Sequence, residues 1–84
     1  MKIEVLYFAR LRSELGCQQE TLELAAGQTV QDLLALLVAR GGAWAGELGG
    51  SRVFRVAINQ ELAQMSDGIP DLAEVAIFPP VTGG

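Results

Sequence analysis

Histidine is absent from the sequence, lysine occurs once, at Lys2, and cysteine once, at Cys17. Each scarcity removes a chemistry. Without histidine there is no Ser/His/Asp or Cys/His relay and no Cys/His zinc site, so no metal centre is expected. A lysine at position 2 cannot serve a Gly-rich phosphate loop. A single cysteine forbids an internal disulfide, which a secreted domain of this size would ordinarily use, and a reducing cytoplasm is the expected location. No window is long and apolar enough for a membrane helix, and Glu4 falls where a signal peptide would run apolar, so no membrane association is expected. Cations are also scarce. Six Lys plus Arg against ten Asp plus Glu leave a formal charge of -4, which makes a phosphate backbone repulsive and nucleic acid an unexpected partner.

What is present is 84 residues, 50% of them hydrophobic, the make-up of one small globular domain. At this size roughly 60–65% of the unfolded chain's surface can be buried, too little core to wall a deep active site, which points away from a self-contained enzyme. Ile3 to Phe8 and Glu20 to Leu24 read as strands, the second with Leu22 and Leu24 toward the core. Between them Ala9 to Gly16 is charged and reads as a wide hairpin loop. Thr29 with Asp32 three residues on is a variant of the capping box. Val30, Leu33, Leu34, Leu37 and Val38 then form one apolar helical stripe, stopped by Gly41-Gly42. Ala43 to Ser51 shows no period and reads as an irregular surface segment anchored by Trp44. Arg52 to Ile58 alternates as a third strand, Leu62 falls in a brief fourth, and Glu74 to Phe78 is the last. Two N–H-free residues, Pro79-Pro80, end that ladder. The order is that of a single α+β domain.

Beyond the prolines lie Val81, Thr82, Gly83 and Gly84. Two readings stand for the glycines. They form a thin thread, free of Cβ atoms, that carries the Gly84 carboxylate into a narrow channel, or they are a frayed terminus with no task.

Phe78-Pro79-Pro80-Val81-Thr82-Gly83-Gly84 resembles the end of the sulfur-carrying small subunits of molybdopterin synthase. Val5-Leu6-Tyr7-Phe8-Ala9 with Arg12, Val56-Ala57-Ile58-Asn59-Gln60 and Glu74-Val75-Ala76 extend the resemblance over nearly the whole chain. It implies a ubiquitin-like β-grasp domain over residues 1–78, a mixed sheet on one main helix, and an extended tail over 79–84. It also implies a carrier with no stand-alone activity and no cofactor of its own. An E1-like adenylating enzyme would use ATP and Mg to adenylate Gly84, and a sulfur donor protein would convert the adenylate to a thiocarboxylate. The large synthase subunit, in a heterotetramer of two small and two large chains, would take that sulfur for a pterin precursor. Gly83 would keep the thread narrow, with Pro79, Pro80, Val81 and Thr82 leading to it.

By the same resemblance Phe8, Arg12, Leu62 and Phe78 fall at partner-binding positions. As residues of strand patterns, Phe8, Phe78 and Leu62 equally suit a core, and Arg12 a solvated loop. One departure concerns a turn: Asp-Gly-Asp-Glu-Val of the family reads Asp71-Leu72-Ala73-Glu74-Val75 here, without the turn glycine. Cys17 matches no family role and reads as a small filler. A sulfur carrier for thiamine or another pathway, a ubiquitin-like protein modifier and an interaction module with an idle tail are the alternatives.

Overall fold

Alternation decides the sheet. In β1, Lys2–Tyr7, the residues Ile3, Val5 and Tyr7 are buried, and in β5, Glu74–Phe78, so are Val75 and Ile77. A side-chain period of two places these on one face. The computed structural model describes residues 1–80. Its strands β2, Gln19–Glu23, β3, Arg55–Ile58, and β4, Glu61–Ala63, complete a five-stranded sheet in the order β2-β1-β5-β3-β4. β1 and β5 are parallel at the centre, and the other three pairings are antiparallel. Asn59 and Gln60, both at positive φ, join β3 to β4 through a two-residue turn whose twist suits a hairpin.

Helix α2, Val30–Val38, follows the sequence stripe. Thr29 accepts a hydrogen bond from the Asp32 N–H, and the Asp32 carboxylate accepts one from the Thr29 N–H at 2.9 Å, a reciprocal cap. Val30, Leu33, Leu34 and Leu37 pack on the buried sheet face in one cluster with Ile3, Val5, Tyr7, Val75 and Ile77. Leu24 belongs to this cluster, and Leu22 packs partly buried against it.

Two segments expected to be irregular are helical. The wide hairpin loop is instead α1, Ala9–Leu15, which buries Leu11 and Leu15 four residues apart and ends at Gly16. Gly16, in the left-handed region at φ 65, donates its N–H to the Arg12 carbonyl, a conformation with little penalty for glycine alone. The surface segment around Trp44 is α3, Gly42–Leu48, seated by Leu48 and Glu47. Both helices have seven residues, too few for a periodic pattern to stand out. All three helices cover the same side of the sheet, so its other face is open.

Candidate functional site

The open face carries the candidate site. Register sets the row Gln19, Leu6, Ala76, Ala57, Leu62 straight across the five strands. A solvated sheet face ordinarily alternates to polar residues; here four of five are apolar. Toward the end of β5 the next outward residues are Phe78 and its partner Arg55. Phe8, extended at φ -121 and ψ 154, continues the β1 alternation onto this face and donates its N–H to the Ile77 carbonyl. Phe8 is 45% exposed and Leu62 73%, whereas Phe78 is half-buried. The core alternative therefore fails for Phe8 and Leu62, which face solvent. A contiguous apolar surface of this kind marks a contact site. Leu6, Ala57 and Ala76 were not singled out from the sequence, although their outward strand parity was the available signal.

Arg12 is exposed on α1 and makes no ion pair with another described residue. Pro79 and Pro80 are half-buried where the chain leaves β5. They help line a cleft of about 230 Å³ with Arg10, Leu11, Glu47, Arg52, Val53 and Phe54. Val81, Thr82, Gly83 and Gly84 lie outside the described residues.

Behind the sheet a polar network fixes β1, β2 and the helices to one another. The Tyr7 hydroxyl donates to Glu20 at 2.7 Å, and Arg40 donates two hydrogen bonds to the same carboxylate at 2.8 and 2.9 Å. Arg40 lies 4.4 Å over the Trp44 ring, which meets Tyr7 edge-on at 5.3 Å. Burial, then the hydrogen bond to Glu20 and its charge, push the Tyr7 hydroxyl far above its ordinary value. The Arg40 hydrogen bonds hold Glu20 below the usual carboxylate value. Cys17 sits beside this network, and burial with the Glu20 charge pushes its thiol up, so it lacks the thiolate character of a reactive cysteine. The described residues assemble no nucleophile with a base. Their candidate site is the apolar outer face.

A mixed five-stranded sheet in the order β2-β1-β5-β3-β4 with its helices on one face is a ubiquitin-like β-grasp domain. The chain belongs to the ThiS family, whose model matches residues 5–84. It is 38% identical over 86 residues to the molybdopterin synthase sulfur carrier subunit of Chlamydomonas reinhardtii, covering 100% of both chains. It is 39% identical over 83 residues to the protein of the same name from Escherichia coli, covering 98% of this chain and 99% of that one. Among solved structures, small archaeal modifier protein 1 of Haloferax volcanii superimposes with a TM-score of 0.77 at 29% identity. That match covers 95% of this chain and 98% of the other.

Proposed function

We propose that this chain is the sulfur carrier of molybdopterin synthesis, acting through Gly84 while partners supply the catalysis. The observation that carries the reading is the apolar outer face, with Phe8 and Phe78 beside the end of β5 and Leu62 farther along it on β4. Relatives named sulfur carrier subunits align over nearly the full chain. A carboxylate is a poor electrophile. Attack of the Gly84 carboxylate on ATP, with Mg on an E1-like enzyme, expels pyrophosphate and gives an acyl adenylate. Sulfide-level sulfur supplied by the donor protein then attacks the acyl carbon and expels AMP, leaving a thiocarboxylate, a soft nucleophile with its charge largely on sulfur. The large synthase subunit receives the tail and transfers that sulfur to a pterin precursor, in an assembly of two small and two large chains in the cytoplasm. ATP belongs to the activating enzyme, not to this chain. Lysine and arginine at the reacting centre come from the partner, which suits a chain with a single lysine.

The structural likeness to a small archaeal modifier protein favours a second reading, conjugation of Gly84 to lysines of other proteins. Intact mass after incubation with the activating enzyme, Mg-ATP and sulfur donor tests the carrier reading. A gain equal to one oxygen replaced by sulfur, absent from a variant lacking Gly84, is expected. No gain with an enzyme active on another carrier overturns it, and Gly84-dependent protein adducts would establish the modifier.

A further inference from the structure

The cleft beside Pro79 and Pro80 is charged in a way the apolar docking face does not explain. Glu47, on α3, has a side chain only 9% exposed. Its Oε1 accepts a hydrogen bond from Arg10 Nε at 3.2 Å and its Oε2 one from Arg10 Nη2 at 3.3 Å, and Arg52 Nε lies 3.3 Å from the same Oε2. The two arginine side chains are 46% and 55% exposed. One buried carboxylate thus fixes two guanidiniums with the negative charge inside and the positive charge outward.

We infer that this cleft seats one acidic side chain, Asp or Glu, of the large subunit that receives the tail; the inference rests on the carrier reading above. Unused donors on Arg52 carry it. Arg10, Arg52, Glu47 and Glu14 balance in charge, but Glu14, at 3.7 Å from Arg10, pairs with that guanidinium alone and leaves Arg52 with only a share of the buried Glu47. Of the five donors on each guanidinium, Arg52 turns one toward Glu47, and its terminal amino groups hydrogen-bond to no described residue. A planar fork of that kind matches a carboxylate by paired hydrogen bonds. Leu11, Val53, Phe54 and the two prolines form the remaining wall, and apolar surroundings strengthen a charge pair by lowering the local dielectric. A phosphate dianion fits less well than a single carboxylate because it sets a second negative charge against Glu14 and Glu47. Since Pro79 and Pro80 are part of the wall, the cleft lies beside the described end of β5 that leads to the tail. The seat would set the large subunit's register on the carrier.

Binding kinetics of the full chain with the large synthase subunit test the seat, using Arg52→Ala, Arg52→Lys and Arg10→Lys. In Arg52→Ala the buried Glu47 keeps its two hydrogen bonds from Arg10, and an unchanged unfolding midpoint verifies the fold; Arg52→Lys and Arg10→Lys keep the charge should it shift. The expected result is a dissociation rate raised about tenfold in Arg52→Ala, with a smaller rise in either lysine variant, because a seated charge pair acts on dissociation. An unchanged dissociation rate overturns the seat, as does an effect confined to the association rate that vanishes at high salt. Inorganic phosphate that displaces the large subunit from the parent but not from Arg52→Ala would assign the cleft to phosphate and overturn the carboxylate. If the parent chain does not bind the large subunit, the carrier reading fails first and takes the seat with it.

Discussion

Arg40, just beyond the end of α2, grips Glu20 on the edge strand β2 through two hydrogen bonds of 2.8 and 2.9 Å. The pair joins elements twenty residues apart, and Trp44 of α3 stacks against the same guanidinium. Glu20 faces the helices rather than solvent because it shares strand parity with Leu22 and Leu24. A carboxylate on that side needs a partner. Arg40 and the Tyr7 hydroxyl satisfy it, and no buried side-chain polar atom among the described residues lacks a hydrogen bond.

Replacing Arg40 by Ala removes two charge-assisted hydrogen bonds and the cation–π contact, leaving Glu20 with Tyr7 alone. A loss of about 2 kcal/mol is expected. Arg40→Lys should recover less than half of it, since an ammonium cannot make the paired contact. Denaturant unfolding measures both; equal stability of the lysine variant and the parent would reduce the interaction to simple charge.

The same contact sets an acid dependence. Hydrogen bonds from Arg40 depress the Glu20 carboxyl in the folded state. Its contribution is complete above the ordinary carboxylate value of about 4.3 and is lost as pH falls through the lowered folded value. The stability gap between the parent and Glu20→Gln is therefore constant near neutrality and closes below about pH 4. Chemical unfolding across the acid range checks this, and a gap unchanged to about pH 2 would mean that the carboxylate's charge contributes nothing.

At the alkaline end Tyr7, the chain's single tyrosine, provides the signal. Its hydroxyl is raised in the folded state, first by burial and then by Glu20. The associated stability is complete below the ordinary tyrosine value of about 10 and is lost as pH rises beyond it. Phenolate absorbance should appear together with loss of the folded near-ultraviolet dichroism, in one transition. Phenolate forming earlier, with the dichroism intact, would show an open hydroxyl.

How much of this was legible in the sequence depended on length. α2 announced itself through a cap and five apolar positions over nine residues, and β5 through its alternation; β5 kept its expected bounds, while α2 ends at Val38, before Gly41, which instead caps the start of α3. α1 offers only Leu11 and Leu15 with Gly16 behind them, a signal no longer than chance spacing. In α3 two glycines within seven residues oppose helix by propensity, and packing of Leu48 with the Arg10–Glu47 contact overrides it. The docking face was half legible. Phe8, Leu62 and Phe78 came from resemblance, while Leu6, Ala57 and Ala76 had only outward strand parity to mark them until register joined them in one row. The Arg10–Glu47–Arg52 cluster joins residues with no pattern in common along the chain.

The missing turn glycine has a measurable consequence. Leu72 occupies that position at φ 64 and is 77% exposed, while its N–H donates to the Lys2 carbonyl at 2.8 Å. The turn therefore keeps a left-handed geometry with a residue whose Cβ disfavours it by roughly 1–2 kcal/mol. Leu72→Gly relieves that strain and sacrifices little packing, offset in part by the greater freedom of glycine in the unfolded chain. A net gain of about 0.5–1 kcal/mol is expected, read as a higher unfolding midpoint. A lower midpoint would show that Leu72 contributes packing that outweighs its strain.

Leu62 separates docking from folding. It sits on β4 at the edge of the sheet, 73% exposed, across from Ala57, so its side chain adds little to the core. Leu62→Asp should change stability by no more than about 1 kcal/mol, the range of strand propensity at an open position. Docking is another matter: a carboxylate placed in the apolar row must be desolvated without a partner when a second protein covers that face. Affinity for the large synthase subunit should fall at least about tenfold. Titration calorimetry with parent and variant measures the affinity, and thermal unfolding of the same samples measures the fold. Equal affinity with the fold intact would move the interface off this face. Reduced affinity with an unchanged unfolding midpoint would show that Leu62 is kept exposed for the partner, because no packing among the described residues requires an apolar residue there.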